Sequence, residues 1–379
     1  MDIDTLRKEI DATDDAIKAL FIKRMQTSSQ IAAYKKSKGL PVADRQRERE
    51  ILTRLTLDSP PEMEMYIKSL FTTLFGLSRS FQTARIGGEH PLAERIRQAI
   101  AQTPPLFPSK AVVACQGVEG AYSQMAADKL FALPHIMYFT SFEGVFQAVE
   151  KGLCRYGVLP IENSSHGSVT QVYDLMKRHD FHIVRSLKMK IDHCLLANPG
   201  STQKDIREIF SHEQAIAQCS EYLQKLKDVK VTVCENTAAA AQLVAQSGRK
   251  DAAAISSQYC AELYGLEVVD GDVQNSASNF TRFICISKNL EIYPGADKIS
   301  IMLALPHRPG SLYETISRFS AMGLNLTKLE SRPIPDRDFE FMFYFDMEAS
   351  LLSEGVISLL CSLASDCDQF DFLGSYSEA

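Results

Sequence analysis

The first 85 residues carry apolar side chains at helical spacing. Apolar positions from Asp4 to Lys38 recur three and four residues apart, which predicts one long helix that ends at Gly39 and Pro41. Further helices are predicted over 44–57 and 62–85. The first helix would be roughly 50 Å long, and so short a unit cannot form a core along its whole length. We therefore expect it to pack along another long helix, most simply that of a second copy. The apolar positions of this helix are Leu6, Ile10, Ile17, Leu20, Phe21 and Ile31.

From residue 110 onwards, short apolar runs alternate with helical patterns. In the middle region, 110–288, this alternation predicts α/β units on a largely parallel sheet. The final region, 297–379, has the order βαββαβ, which is typical of a ferredoxin-like α+β unit. The strands predicted in the middle region are 111–115, 156–160, 182–187, 193–197, 229–234, 252–255 and 280–286.

The breaks between these regions are rich in glycine and proline. Gly87-Gly88 closes the helical region, 1–88, and a linker over 89–109 combines a polar helical stretch with the proline-rich TPPLFPS. Tyr293-Pro294-Gly295 precedes the final region. Because proline cannot continue a helix, we expect a multidomain chain.

Composition and charge narrow the class of protein. The net charge of −6 argues against nucleic-acid binding, which favours a basic surplus. The longest apolar stretches fall far short of the ~20 residues that span a bilayer, and the acidic start is unlike a signal peptide. Nine cysteines without a CxxC spacing fit reduced thiols and no zinc site. We expect a cytoplasmic protein without a metal, a membrane partner or a nucleic-acid partner.

Each of the three predicted helices carries a short cluster of polar residues. Each group could be a solvated face with local ion pairs. Buried arginine and lysine, however, require an anionic partner, so convergence of the groups would form a pocket for a dicarboxylate. The residues are Arg24, Lys35, Asp44, Arg47, Glu48, Ser78 and Gln82.

This constellation closely resembles the helical chorismate mutases that are fused to bacterial prephenate dehydratases. The resemblance covers residues 5–85 and adds Arg7, which in the family reaches the partner's site. It implies a cofactor-free rearrangement of chorismate to prephenate, in which the arginines clamp the two carboxylates. Lys35 and Gln82 would donate hydrogen bonds to the ether oxygen, and Glu48 would hold the ring hydroxyl. The matching set is Arg7, Arg24, Lys35, Asp44, Arg47, Glu48, Ser78 and Gln82.

Four motifs stand out in the middle region: GVEGAYS at 117–123, PIENSS at 160–165, SHEQAIAQC at 211–219 and NFTRF at 279–283. The glycines of the first motif would let backbone N–H groups approach an anion. Each motif also has a structural explanation, namely turn glycines, an Asn-Ser turn, a serine cap on a helix and a strand edge. The glycine motif lacks the GxGxxG spacing of a dinucleotide site.

Together and in this order, the motifs resemble prephenate dehydratases over residues 111–286. The resemblance implies two α/β lobes like those of a periplasmic binding protein, with the site between 111–190 plus 270–286 and 191–269. Thr281 would donate a proton or hydrogen bond to the leaving hydroxyl, although Arg282 is equally explained as structural. The residues expected to line the cleft are Glu162, Asn163, Ser164, Ser211, Gln214, Thr237, Thr281 and Arg282.

The final region carries RPGSL at 308–312, GLNLTK at 323–328 and ESRP at 330–333. These motifs resemble the ACT domain of dehydratases that phenylalanine inhibits, and imply binding of phenylalanine across a domain dimer. A purely structural dimerisation module is the alternative. The expected ligand residues are Gly310, Ser311, Leu312, Asn325, Glu330, Ser331 and Arg332.

Taken together, the resemblances identify a bifunctional chorismate mutase and prephenate dehydratase with a C-terminal phenylalanine sensor. It would act on chorismate and prephenate in phenylalanine biosynthesis as a homodimer or homotetramer. Two alternatives are a dehydratase that also or mainly acts on arogenate, and a non-catalytic amino-acid-binding regulator. The second would require loss of site residues, whereas Thr281 and the mutase constellation are present.

Overall fold

A computed structural model of the chain describes residues 2–57, 59–86, 90–334, 340–353 and 355–379. The three predicted N-terminal helices are confirmed, and the break predicted at Gly87-Gly88 lies outside the described residues. Gly39 ends the first helix in the left-handed region, with φ of +64°. The helices are α1 (Ile3–Lys38), α2 (Arg45–Leu57) and α3 (Glu64–Ile86), and a 3₁₀ turn at Pro61–Met63 precedes α3.

The apolar stripe of α1 lies on the surface of the single chain. Ile10 is 62% exposed, Ile17 56% and Leu20 67%, whereas the buried residues of α1 are Ser28 and Ala32. Ser28 lies against Ser78 of α3, whereas Ile10, Ile17 and Leu20 are left largely uncovered in the single chain. This surface is of the kind that a second helical copy would cover.

The predicted linker contains a helix, α4 (Pro91–Gln102), that packs on the C-terminal region. Leu92, Ala93, Ile96 and Ala99 are buried there, and the Thr103 hydroxyl accepts a hydrogen bond from the backbone N–H of Ile292 at 2.9 Å. The segment between the helical region and the middle region is thus part of a core.

The middle region forms two separate sheets, in agreement with the predicted pair of lobes. The first sheet has the order β2-β1-β3-β11-β5, with the short β4 beside β3. Its helices are α5 (Tyr122–Leu130), α6 (Phe142–Glu150) and α7 (Thr170–Met176). Its strands are β1 (Lys110–Gln116), β2 (Leu133–Phe139), β3 (Tyr156–Asn163), β4 (Gly167–Ser168), β5 (His182–Lys190) and β11 (Phe280–Ser287).

The second sheet has the order β10-β6-β9-β7-β8. Its strands are β6 (Cys194–Ala197), β7 (Glu208–Ser211), β8 (Lys230–Val233), β9 (Ala252–Ser256) and β10 (Glu267–Asp270). Its helices are α8 (Glu213–Gln218), α9 (Ser220–Lys225), α10 (Thr237–Ser247) and α11 (Gln258–Tyr264).

The prediction of a largely parallel sheet is wrong. In the first sheet β1 pairs parallel with β2 and β3, but β11 pairs antiparallel with β3 and β5. The second sheet is mixed in the same way. The cause is chain order, because β11 returns from the second lobe and enters the first sheet in the opposite direction.

The C-terminal region has the predicted ferredoxin-like order, with an antiparallel sheet β13-β14-β12-β15. We call it the sensor domain, after the role that its resemblance to an ACT domain implies. Its elements are β12 (Lys298–Ala304), α12 (Ser311–Ala321), β13 (Asn325–Pro333), β14 (Phe341–Glu348), α13 (Val356–Asp366) and β15 (Gln369–Tyr376).

One face of the sensor sheet shares a core with the first lobe. Met302, Tyr344 and Leu373 are buried in the same cluster as Tyr173 and Val172 of α7. A Cβ at Gly374 would lie 2.1 Å from the carbonyl oxygen of Ile183, so only glycine permits this approach of β15 to β5. The sensor domain therefore packs directly against the first lobe.

No helix within the described ranges is both long and apolar enough to cross a bilayer.

Candidate active sites

In the helical domain, Arg24 lies between α1 and α3. Its Nη1 donates to the carbonyl oxygen of Leu74 at 3.2 Å and to the Ser78 hydroxyl, and its guanidinium lies over the Phe75 ring. Burial lowers the pKa of Arg24, and the charge of Glu48 opposes that shift. The structure thus brings Arg24, Ser78 and Glu48 together, as predicted for a dicarboxylate pocket.

Glu48 has an additional partner, Arg79, that no sequence motif indicates. Its Oε1 accepts from the guanidinium of Arg79, which also lies 3.8 Å from Asp366 of α13. Asp366 in turn pairs with Arg318 at 2.6 Å. The carboxylate predicted to hold the ring hydroxyl is therefore engaged with a cation that also faces the sensor domain.

Gln82 is 7% exposed and lies one turn beyond Ser78 on α3. Its Oε1 is buried and has no hydrogen-bond partner within the described residues. Lys35 donates to the carbonyl oxygen of Val42 at 2.5 Å, which ties α1 to the segment before α2. A buried amide with an unused acceptor, one turn from the Ser78 that Arg24 contacts, is suited to a polar ligand.

The other predicted mutase residues are separate from this pocket in the single chain. Asp44 accepts from the backbone N–H of Arg47 at 3.0 Å and so caps α2. The Arg47 side chain turns to Glu50, and exposed Arg7 pairs with Asp4. Arg7 lies on the exposed half of α1, where it is accessible to a second copy.

In the middle region, Asn163 and Thr281 face each other across β3 and β11. The Asn163 amide donates to Thr281 Oγ1 at 2.9 Å and to Asn279 Oδ1 at 2.8 Å. Its Oδ1 accepts from the backbone N–H groups of Ser165 and His166. Asn163 is 4% exposed and Thr281 8%, so this pair is fixed in a largely buried position.

A hydrogen-bonded chain joins this position to the second lobe. The amide nitrogen of Gln218 in α8 lies 3.2 Å from His166 Nδ1, and its oxygen lies 2.8 Å from His193 Nε2. Burial lowers the pKa of His193, which favours the neutral ring and an Nε2–H that donates to Gln218. The Asn163–Thr281 pair therefore lies at the junction of the two lobes.

Glu162 and Arg282 do not line this cleft, which corrects their prediction. Successive side chains of a strand point to opposite faces, so both lie on the reverse of Asn163 and Thr281. Arg282 Nη1 pairs with Glu162 at 3.2 Å, and Lys328 of the sensor domain contacts Glu162 at 2.7 Å.

The remaining predicted cleft residues occupy both lobes. The Ser164 hydroxyl accepts from the backbone N–H of Phe280 at 2.9 Å, which joins the two motifs. Ser211 ends β7, is fully buried and donates to the carbonyl oxygen of Ile255. Gln214 and Thr237 lie in the first turns of α8 and α10, and both are half-buried. They lie just beyond β7 and β8, whose carboxyl ends share one edge of the sheet.

The interpretation of the 117–123 glycines as an anion approach is wrong for Gly120. Its backbone N–H donates to Gln124 Oε1 at 2.7 Å. A Cβ there would meet Cys260 and Leu263 of α11 at 3.0 Å, and its φ is +89°. The glycine allows the first lobe to touch the second.

In the sensor domain, the prediction that Glu330 and Arg332 face a ligand is wrong. Glu330 accepts from Ser168 at 2.6 Å, and Arg332 forms a bidentate pair with Asp174 at 2.7 and 3.0 Å. Both therefore point to the first lobe, whereas Ser331 between them is exposed.

The other predicted sensor residues lie around the start of α12 and at the start of β13. Gly310 adopts φ of +87° before α12, and the Ser311 hydroxyl donates to the carbonyl oxygen of Pro306 at 2.7 Å. Leu312 is half-buried, and Asn325 donates to Glu348 at 2.7 Å. The cavity beside Ser311 measures about 30 Å³, which has room for little more than a water molecule. A single chain therefore does not enclose an amino acid there.

Four further residues belong to the site although no sequence motif assigned them to it: Asn279, His166, Gln218 and His193. Asn279 could have been predicted from the sequence, because it lies two residues before Thr281 and therefore on the same strand face. Gln218 could also have been predicted, because it lies four residues after Gln214 on one short helix and so shares its face. The position of His166 depends on the approach of the two lobes, which no local pattern encodes.

Comparisons with known proteins agree with this architecture. Residues 6–83 match the family Chorismate mutase type II, and residues 113–291 match Prephenate dehydratase. The two ranges define the chain as a fusion of a helical mutase with a two-lobed dehydratase. A bifunctional chorismate mutase/prephenate dehydratase from Escherichia coli is 32% identical over 98% of this chain and 95% of its own length. The chain belongs to the family of bifunctional chorismate mutase/prephenate dehydratases, which are enzymes of phenylalanine biosynthesis.

Two further proteins each match about seven tenths of the chain. An arogenate dehydratase/prephenate dehydratase from Arabidopsis thaliana is 40% identical and covers 71% of this chain and 73% of its own length. The crystal structure of a prephenate dehydratase from Arthrobacter aurescens, in complex with L-Phe, superposes with a TM-score of 0.65 at 28% identity. It covers 70% of this chain and 89% of its own.

Proposed function

We propose that the helical domain converts chorismate to prephenate and that the cleft between the lobes converts prephenate to phenylpyruvate. The observation that carries the second step is the Asn163–Thr281 hydrogen bond at the lobe junction. Prephenate and one proton give phenylpyruvate, carbon dioxide and water. The breaking bond to the carboxylate supplies the electron pair that aromatises the ring. The ring hydroxyl leaves as water with a proton that Thr281 donates and then regains from solvent.

The first step requires no proton transfer, because the rearrangement is pericyclic. The site has to hold a compact conformer and to stabilise the negative charge that grows on the ether oxygen. Arg24 is the half-buried cation for a substrate carboxylate, with Lys35 and Gln82 as donors to the ether oxygen. Glu48 would hold the ring hydroxyl once Arg79 releases it.

We propose further that the enzyme is at least a homodimer. The exposed stripe of α1 supports this, since Ile10, Ile17 and Leu20 are each more than half exposed in a single chain. Arg7 would then enter the partner's mutase pocket, as the family resemblance implies. Sedimentation at micromolar concentration should give twice or four times the chain mass, and a monomer with full mutase activity would contradict this proposal.

We also propose that phenylalanine inhibits the dehydratase through the sensor domain, which resembles an ACT domain. The L-Phe complex of the Arthrobacter aurescens dehydratase supports the ligand. The small cavity beside Ser311 supports a site that is completed by a second sensor domain. The nine unpaired cysteines suit a reducing compartment, so we place the enzyme in the cytoplasm.

One experiment tests the two activities together. The purified chain is incubated with chorismate, and prephenate and phenylpyruvate are followed by chromatography with and without phenylalanine. We expect prephenate to appear first, phenylpyruvate to follow, and phenylalanine to slow the second product. Arogenate supplied in place of prephenate tests the alternative substrate that the Arabidopsis relative's name suggests. Faster turnover of arogenate than of prephenate would overturn the assigned substrate.

A further inference from the structure

The two strands that carry Asn163 and Thr281 are held from behind by the sensor domain. β3 and β11 are neighbours in register, so that Thr281 lies opposite Asn163 and Arg282 lies opposite Glu162. Because side chains alternate along a strand, Glu162 and Arg282 face away from the cleft. Glu162 directly precedes Asn163 in the chain, and Arg282 directly follows Thr281.

The sensor domain supplies an opposite charge to each of these two residues. Lys328 Nζ lies 2.7 Å from Glu162 Oε1, and Glu378 Oε2 lies 3.0 Å from Arg282 Nε. Lys298 extends the series by pairing with Glu378 at 3.1 Å. All five side chains are at least 70% buried. The result is a continuous row of alternating charges that crosses the domain boundary.

The same sensor strand also holds the turn after Asn163. Ser168 of β4 lies beside β3, two residues after His166, and its hydroxyl is 2.7 Å from Lys328 Nζ and 2.6 Å from Glu330 Oε2. Lys328 therefore contacts both the strand that carries Asn163 and the hairpin that carries the link to the second lobe. A shift of β13 would displace both.

The electrostatics make this row sensitive to the loss of one member. Burial opposes the charge on Arg282, but the carboxylates of Glu378 and Glu162 outweigh that effect and raise its pKa. Asp346 lies in the same environment, where burial raises its pKa and the charges of Arg282 and Lys328 lower it. Removing one partner of a buried pair leaves an uncompensated charge, so the remaining side chains have to rearrange.

We propose that Glu162 and Arg282 are positioning residues for the dehydratase, and that Lys328 transmits the state of the sensor domain to Asn163 and Thr281. The positioning part rests on the proposed role of Thr281, and the transmission part on the proposed inhibition by phenylalanine. Lys328, Glu330 and Arg332 then serve the contact between domains. A displacement of about 1 Å at a reacting group costs ~10²-fold in rate, so a small movement of β13 is sufficient for inhibition.

The test compares Lys328→Met with a matched control at the same boundary. Lys177 directly follows α7 of the first lobe, outside β3 and β11, and donates to the carbonyl oxygen of Pro333 at 3.0 Å. Lys177→Met removes the same charge and one contact between the same domains. Each variant is assayed for dehydratase kcat and KM, for inhibition by phenylalanine, and for phenylalanine binding by calorimetry. Mutase activity verifies folding.

For Lys328→Met we expect kcat to fall by about 10- to 100-fold with KM changed by less than about threefold. Phenylalanine should still bind, but should change kcat by less than about twofold, which is below the range of ordinary coupling. Lys328→Arg should restore most of both properties, and Lys177→Met should resemble the unaltered enzyme.

Two results would overturn the proposal. Unaltered kcat and unaltered inhibition in Lys328→Met would show that the row of charges transmits nothing. Equal defects in Lys328→Met and Lys177→Met would show a general loosening of the domain boundary. Failure of the proposed function is distinguishable from both results. If phenylalanine neither binds nor inhibits the unaltered enzyme, the proposed regulation through the sensor domain is wrong. The kcat of Lys328→Met without phenylalanine still decides the positioning role.

Discussion

The Asn163 amide nitrogen lies 2.9 Å from the Thr281 hydroxyl oxygen, and the direction of this hydrogen bond is determined. Asn163 Oδ1 accepts from two backbone N–H groups, so the NH₂ group has to face Thr281. An amide nitrogen donates and does not accept, which leaves the Thr281 proton free to point elsewhere. The hydroxyl is thereby prepared to donate to a leaving group in the cleft.

Thr281→Ala should therefore abolish the dehydratase and preserve the mutase. General acid assistance is typically worth about 10²–10⁴-fold, so kcat on prephenate should fall by that factor. Thr281→Ser keeps the hydroxyl and should retain more activity than Thr281→Ala. Both are measured by phenylpyruvate formation, with chorismate consumption as the control for folding. A loss of less than about tenfold in Thr281→Ala would remove the proposed role.

Asn163→Asp tests the direction of the hydrogen bond. A carboxylate can still accept from the two backbone N–H groups, but toward Thr281 it can only accept, so it would take the hydroxyl proton. We expect a loss of dehydratase kcat comparable to that of Thr281→Ala. Asn163→Ala leaves the proton free and should be less severe. If the aspartate variant is the more active of the two, the proton of Thr281 does not serve the reaction.

The contact between His166 and Gln218 should act mainly on substrate binding. It joins the two lobes at 3.2 Å and so favours a closed cleft in the ground state and the transition state alike. A hydrogen bond contributes about 0.5–1.5 kcal/mol, so His166→Ala should raise KM for prephenate by several-fold to about tenfold with kcat nearly unchanged. His166→Asn keeps an acceptor, so its KM should lie between that of His166→Ala and that of the unaltered enzyme. Steady-state kinetics that show a fall in kcat alone would contradict this prediction.

The sequence was informative where function depends on spacing within one element, and uninformative where it depends on two elements meeting. Ser78 and Gln82 follow from helical spacing, and Thr281 from its motif. Glu162 and Arg282 were misplaced because a motif names adjacent residues without saying which face each occupies. Alternation would have placed them opposite Asn163 and Thr281, but the sensor domain behind them is visible only in three dimensions.

The stability of the enzyme should fall on mild acidification because of His182. Its side chain is 6% exposed, and burial, assisted by the charge of Arg95, lowers its pKa to about 4. An unfolded histidine has a pKa of about 6.5, so between these values the unfolded chain binds a proton that the folded chain does not. The stabilisation is complete above about pH 6.5 and is lost as the pH falls toward 4, by at most roughly 3 kcal/mol.

His182→Gln keeps an acceptor for the Arg95 guanidinium, which lies 2.7 Å from His182 Nε2, and has no titration. Urea midpoints measured between pH 7 and pH 4.5 should fall less steeply in this variant than in the unaltered chain. Parallel curves for the two proteins would show that His182 does not titrate differently on unfolding.

Gln82 should set the pH dependence of the mutase. It is buried beside Ser78, and in the proposed site its amide donates to the ether oxygen, where negative charge grows. An amide is a donor at every working pH, so the mutase rate should be nearly flat around neutrality. In Gln82→Glu the side chain is isosteric but donates only when protonated. Its unperturbed pKa is about 4.3, and burial would raise it.

Gln82→Glu should therefore lose mutase activity at pH 8 and recover it progressively on acidification. Loss of one preorganised donor costs about 10²–10³-fold in comparable sites, so the profile is measurable by chorismate consumption. Gln82→Ala is the matched control, because it lacks the donor at every pH and should stay slow and flat. The dehydratase step, assayed with prephenate supplied directly, should be the same in all three proteins. A Gln82→Glu enzyme that keeps the unaltered rate from pH 5 to pH 8 would place Gln82 away from the reacting oxygen, and the buried amide would then be a structural group.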